Sequence, residues 1–203
     1  MSKTKIAVLV SGGGTNLQAL IDAENSGILS SGEIVLVISN KEGAYALERA
    51  KNAGIKSALV LKKDCTDQLD FENKIIALIE ENDVELIVLA GFMSILTEYF
   101  TSKYDKRIII VHPSLIPSFC GKGFYGLKVH ESALAYGVKV TGATLHFVNE
   151  IPDGGEIIMQ KAVEIQEGGT PEVLQTRVMV EAEWQILPLS VEKISKKINS
   201  ERR

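Results

Sequence analysis

The chain has 203 residues, 45% of them hydrophobic, which suits a single domain with a substantial core and excludes a disordered or fibrous chain. Its 22 basic and 26 acidic residues give a formal charge of −4, which argues against a broad surface for nucleic acid or another polyanion. No apolar run reaches the length of a bilayer crossing, and the apolar start of "MSKTKIAVLVSGGG" ends at glycines without a small-residue cleavage pattern.

We therefore expect one domain over residues 1–203, cytoplasmic, a monomer or homodimer, with small-molecule ligands and with no nucleic-acid and no membrane partner. Cys65 and Cys120 stand far apart, with no CxxC spacing and no histidine at ligand spacing, so neither a disulfide framework nor a metal site is expected. Reduced, buried thiols are the expected state of both.

In chain order, apolar strand-like runs alternate with helix-period segments. "KIAVLV" precedes "NLQALIDAEN", "EIVLVIS" precedes "AYALERAKNAG", and "KSALVL" precedes "FENKIIALIEEN". "ELIVLAGF" precedes "MSILTEYFTSKY", whose first residues read as the start of a packed helix, and "RIIIV" follows. Strands that are apolar throughout, each followed by a helix, imply an α/β domain with a doubly wound, mostly parallel sheet covered by helices on both faces. After Ser114 the pattern changes to a loop, "SLIPSFCGKGFYG", a short helix near Lys128 to Tyr136, and two C-terminal strands, "KVTGATLHFVNE" and "EIIMQKAVEI", joined through "IPDGG". "TPEVLQTRVMVEAEWQILPLSVEKISKKI" then reads as a helical tail interrupted at Pro188, ending in a basic cluster suited to a solvated helix end.

Gly12, Gly13 and Gly14 sit between the first strand and a helix that begins near Thr15 and Asn16. Free N–H groups at such a helix start favour an anion, although the spacing matches neither the dinucleotide nor the triphosphate pattern. Two readings stay open: a monophosphate held at the turn, or a tight turn whose helix is capped by Thr15 or Asn16.

In an open α/β sheet ligands gather beyond the carboxyl ends of the strands, where the glycine-rich turn, "GFMSIL" and His112 all fall. A histidine there can exchange protons near neutral pH, which suits acyl transfer from one nitrogen to another. His146 alternates onto the more polar face of its strand, where it either lines the same crevice or supports the loop, with support the favoured reading, while His130, beside Glu131, reads as solvated. Asp153 in "PDGG" is what a turn demands, and it gains a chemical role only if the fold brings it beside His112.

Taken together, "SGGGTNLQAL", "LAGFMSIL", "HPSLIPSF", "GATLHFVNEIPDGG" and "EAEWQILP" resemble, in order and spacing, the phosphoribosylglycinamide formyltransferases over nearly the whole chain. The resemblance implies a formyltransferase-like fold and transfer of a formyl group from 10-formyltetrahydrofolate, as co-substrate, to the amine of glycinamide ribonucleotide in purine synthesis, with no metal. It further implies that Gly14, Thr15 and Asn16 meet the ribose phosphate and that Glu183 contacts the substrate. The folate would lie along Met93, Ser94, Ile95 and Leu96, with the loop Glu150, Ile151, Pro152 and Asp153 closing on its pterin. His112 and Asp153 match the catalytic pair, and Gln68 falls where the family often has an arginine near the folate.

One position departs from the pattern. Where the family reads asparagine two residues before the histidine, this chain has Ile110, which has no hydrogen-bond donor for the developing oxyanion. Loss of one such donor costs on the order of 10² to 10³ in rate, or roughly 3 to 4 kcal/mol. The expectation is a folded chain with weakened transfer. Competing readings are a formyltetrahydrofolate hydrolase and a catalytically silent nucleotide- or folate-binding module. A methionyl-tRNA formyltransferase is not expected, because the chain lacks the length and the basic face.

Overall fold

A computed structural model describes residues 2–202. Five strands, β1 (Thr4–Val10), β2 (Gly32–Ser39), β3 (Lys56–Leu59), β4 (Leu86–Leu89) and β5 (Ile108–His112), run parallel. The last two, β6 (Val140–Phe147) and β7 (Ile157–Glu164), extend the same sheet antiparallel, giving the order β3-β2-β1-β4-β5-β6-β7. The chain leaves β1 in one direction and returns from β3 to place β4 on its other side. A crevice therefore opens between the carboxyl ends of β1 and β4, where the strand order reverses.

Why these runs are apolar throughout follows from their alternation. Ile6, Val8 and Val10 of β1 face one core with Leu86 and Val88 of β4 and Ile109 and Val111 of β5. The residues between them, Ala7, Leu9, Ile87, Leu89 and Ile108, face a second core on the opposite side of the sheet. Helices α1 (Thr15–Asn25), α2 (Tyr45–Asn52) and α7 (Trp184–Glu201) cover the first face, while α3 (Gln68–Glu81) and α4 (Glu98–Lys103) cover the second. Parity then places Ile110 and His112 on the α3/α4 side. Helices α5 (Leu127–Tyr136) and α6 (Pro171–Val178) pack together beside the antiparallel strands.

Several sequence expectations are corrected. Residues 93–97 are not helical, since α4 starts at Glu98. The fully buried Glu72 of α3 accepts the Thr97 N–H at 2.8 Å and the Thr97 hydroxyl at 2.6 Å, and the Met93 N–H donates to Ser11 Oγ at 2.8 Å. Partners outside the segment thus satisfy backbone groups that a helix would otherwise pair.

The tail is interrupted before Pro188 rather than at it. Pro188 lies inside α7, and the irregularity is a wide turn over Met179–Glu183 in which the Trp184 N–H bonds the Met179 carbonyl. Proline lacks an N–H and crowds the carbonyl one turn back, and the preceding turn widens to accommodate it. His130 is not solvated: the helical period of α5 turns it inward with Val129 and Ala133, and it is 0% exposed. Both cysteines are free but only half-buried. No helix among the described residues is long and apolar enough to cross a membrane.

Helix α7 is fastened to the amino end of β2 by Glu192, whose carboxylate accepts from the amides and hydroxyls of Ser30 and Ser31 and pairs with Lys196. Burial alone would raise this carboxyl, but the Ser31 amide, Lys196 and the two hydroxyls outweigh it and bring the pKa down to about 2. A depressed carboxylate stabilises the fold above its unfolded value, and that contribution vanishes as pH falls toward about 2. Glu192→Gln is therefore expected to lower stability by on the order of 2 to 3 kcal/mol at pH 7 and by progressively less in acid. Urea unfolding at pH 7 and pH 3 checks this, and an equal loss at both would contradict it.

Candidate active site

At the end of β1, Gly14 carries φ +71° and precedes α1 without any side-chain cap, so of the two readings left open the turn capped by Thr15 or Asn16 is not the one found. A Cβ on Gly14 would stand 2.6 Å from that of Ala46, so glycine is required both by the backbone angle and by the approach of α2. The first helical bond runs from the Gln18 N–H to the Gly14 carbonyl. That leaves the N–H groups of Thr15, Asn16 and Leu17 without helical partners, at the positive end of the helix. Gly12 and Gly13 have open space where side chains would stand.

The wide turn of the tail brings Glu183 to the same place. It is 7% exposed and accepts a 2.9 Å bond from the Asn16 side-chain amide. Burial pushes the Glu183 carboxyl up, and the Asn16 bond opposes this only in part. The other side-chain atom of Asn16, Oδ1, is buried without a partner. A recess of about 690 Å³ continues from Thr15 between α1 and α7, past Trp184 and Leu189, but it contains none of the groups described next.

Beyond β4, Met93 and Ile95 are 61% and 78% exposed, and Ile151 on the facing loop is 57% exposed. Ser94 accepts from the Asn40 side chain at 2.8 Å. Leu96 does not join this surface, since its side chain is buried in the second core. Gln68 donates to the Ile95 carbonyl at 3.2 Å and so braces the segment. Exposed apolar side chains on a segment braced in this way suit a flat heteroaromatic ring.

His112, the last residue of β5, and Asp153, in the turn after β6, are brought together: Nδ1 lies 3.5 Å from Asp153 Oδ2. The Phe119 carbonyl lies 2.9 Å from His112 Nε2, so that nitrogen carries a hydrogen and donates. The Gly121 N–H donates to Asp153 Oδ2 at 2.8 Å. One loop thus touches both members of the pair. Asp153 takes φ +57°, which aspartate tolerates, and a Cβ on Gly155 would overlap the Phe147 carbonyl. The turn and the chemistry need the same residues.

Burial raises the Asp153 carboxyl, but His146, the Gly121 amide and His112 together hold it below its ordinary value. On the other flank of His112, burial and the nearby ring bring the His130 pKa down to about 4. His146, read from the sequence as loop support, lies 3.6 Å from Asp153 Oδ1. The register of β5 against β6 pairs it with Ile110, a relation that alternation within one strand does not reveal. Among the described residues no group of three or more His, Cys, Asp or Glu is placed to hold a metal ion.

These features define an open, doubly wound α/β protein whose switch-point crevice joins an anion-ready helix start to a buried histidine–carboxylate pair. A family profile described as formyl transferase matches residues 4–191, and the chain belongs to that family. It is 43% identical over 187 residues to the phosphoribosylglycinamide formyltransferase of Haemophilus influenzae, covering 92% of this chain and 85% of that protein. It is also 43% identical over 194 residues to the trifunctional purine biosynthetic protein adenosine-3 of Gallus gallus, covering 96% of this chain but 19% of that protein. The chain therefore spans less than a fifth of the trifunctional relatives it matches. The crystal structure of glycinamide ribonucleotide transformylase 1 from Symbiobacterium toebii superposes with a TM-score of 0.89 at 36% identity, covering 96% of this chain and 89% of that one.

Proposed function

We propose that the chain transfers the formyl group of 10-formyltetrahydrofolate to the amine of glycinamide ribonucleotide, a step of purine biosynthesis. The observation that carries this reading is the 3.5 Å approach of His112 and Asp153 beside the crevice that also holds the α1 start and Glu183. In this reading the ribose phosphate meets the helix start at Gly14, Thr15 and Asn16, with the free amides of that first turn, and Glu183 binds the polar part of the same substrate. The folate ring lies along Met93, Ser94 and Ile95, with Leu96 holding the segment to the core from behind and the loop 150–153 against the pterin.

The substrate amine attacks the formyl carbon, forming a new C–N bond and a tetrahedral oxyanion. Collapse breaks the bond from that carbon to the folate nitrogen, which takes up a proton, while the attacking amine has lost one. His112 carries the proton and faces the oxyanion, and Asp153 holds the ring and balances its charge. With Nε2 bonded to the Phe119 carbonyl, that loop has to release the ring during each turnover.

Ile110 favours one alternative, a module that binds the two ligands without turnover. Single-turnover transfer of labelled formyl from 10-formyltetrahydrofolate to glycinamide ribonucleotide decides between them. Formylated ribonucleotide supports the proposal, tight binding of both ligands with no transfer supports the module, and formate released without the amine supports a hydrolase. Glu183→Gln is expected to raise KM for the ribonucleotide by roughly 10- to 100-fold, the worth of a charged hydrogen bond, with the rate at saturation changed far less. An unchanged KM would remove Glu183 from the binding site.

A further inference from the structure

Outside the pair assigned above, one buried ring faces the Asp153 carboxylate and takes no part in the proposed chemistry. His146 is 2% exposed. Its Nδ1 lies 2.7 Å from the Phe147 carbonyl, and its Nε2, which makes no hydrogen bond, points at Asp153 Oδ1 from 3.6 Å. Carbonyl and carboxylate oxygens only accept. The carbonyl requires a hydrogen on Nδ1, and a bare lone pair on Nε2 would then face a carboxylate. Both sides are satisfied only when each nitrogen carries a hydrogen and the ring is a cation.

The two carboxylate oxygens are divided. Oδ1 faces His146, whereas Oδ2 takes the Gly121 N–H and faces His112. Ile110, which offers no polar group, is the cross-strand partner of His146, and the ring itself is almost wholly buried. The further titratable groups near the cluster are Cys120 on the loop and His130 on α5. Burial raises the thiol and lowers the imidazole, so both stay neutral and the local charge rests on Asp153 and its two rings.

We infer that His146 is a positioning residue for formyl transfer: as a buried imidazolium it fixes the Asp153 carboxylate and takes up part of its negative charge, so that Asp153 holds a proton on His112 less tightly. The inference rests on the reading of His112 and Asp153 as the catalytic pair. A ring that only filled space would leave the charge on Asp153 unchanged. A ring that shares it sets the pH up to which His112 keeps the proton that faces the oxyanion.

His146→Gln tests this, because glutamine keeps an N–H donor but loses the positive charge. With more of the carboxylate charge directed at His112, the upper limb of the kcat/KM profile, where that ring gives up its proton, is expected to move up by on the order of one pH unit. The rate above that limb then rises about tenfold, and KM stays within about twofold. An unmoved limb, or a loss equal at every pH, would overturn the inference.

Ring ¹⁵N resonances of the unsubstituted chain give a readout that needs no turnover. Both His146 nitrogens are expected to be protonated at pH 7, and one of them bare after Asp153→Asn. A neutral His146 in the unsubstituted chain, or a ring indifferent to Asp153→Asn, would sink the inference even if transfer is fast. A doubly protonated ring in a chain with no transfer, alone or with Ile110→Asn, would instead count against the proposed function.

Discussion

Ile110→Asn is expected to speed single-turnover formyl transfer by about 10² to 10³-fold, the range for restoring one preorganised oxyanion donor. The position is set by parity and register. Ile110 lies two residues before His112 on the same face of β5, partly buried against the second core, and opposite His146 on β6. Its neighbours in space are thus the groups proposed to act on the formyl carbon. Isoleucine offers them no hydrogen and fills volume near the reacting atoms, whereas asparagine would place an N–H₂ there. The gain should appear in kcat more than in KM, because the oxygen to be stabilised becomes negative only after attack. The substitution should also lower stability by about 1 to 3 kcal/mol, since it trades a packed aliphatic for a partly buried amide. Rapid-quench kinetics beside a urea titration would show both effects. A faster and less stable protein fits the account, whereas an unchanged rate means that another group already holds the oxyanion.

The sequence reveals the sheet more readily than the site. Apolar runs spaced by helices report burial on two faces, and β1, β2, β4 and β5 read this way because each is largely buried on both sides, whereas the edge strand β3 is mostly exposed. What a strand pairs with is not local, so the contact between Ile110 and His146 becomes visible only when β6 returns antiparallel beside β5. His130 shows a different limit. Its neighbour Glu131 suggests a polar helix face, but the helical turn separates adjacent residues, and the histidine falls on the inner side. The "MSIL" segment was misread because the helix period is satisfied by hydrocarbon alone, while the actual path is fixed by Ser11, Gln68 and Glu72, each remote in sequence. Pro188 carried a correct signal of irregularity whose place was off, since the helix widened in the turn before it.

The second large effect is expected at Asp153. Asp153→Asn keeps the side chain's size and one acceptor for the Gly121 N–H, yet it removes the charge and turns an N–H₂ toward one of the two rings. Loss of the carboxylate partner of a catalytic histidine costs on the order of 10³ to 10⁴ in rate where its tautomer and charge matter. The stability cost should be small beside that, and its pH dependence has a definite sign. The Asp153 carboxyl is held below its ordinary value, so its contribution to the fold is present above the unfolded carboxylate value and fades as pH falls through the folded one. Unfolding at pH 7 should therefore separate natural and substituted chains, while unfolding near pH 3 should bring them together. The rate difference should instead persist across the neutral range, where Asp153 is charged throughout. If the rate fell only in parallel with stability, Asp153 would be a turn residue and no more. A rate lost at pH 7 to 8 in a protein that remains folded would place the carboxylate in the chemistry, and Asp153→Glu would then test whether charge without the left-handed turn geometry is enough.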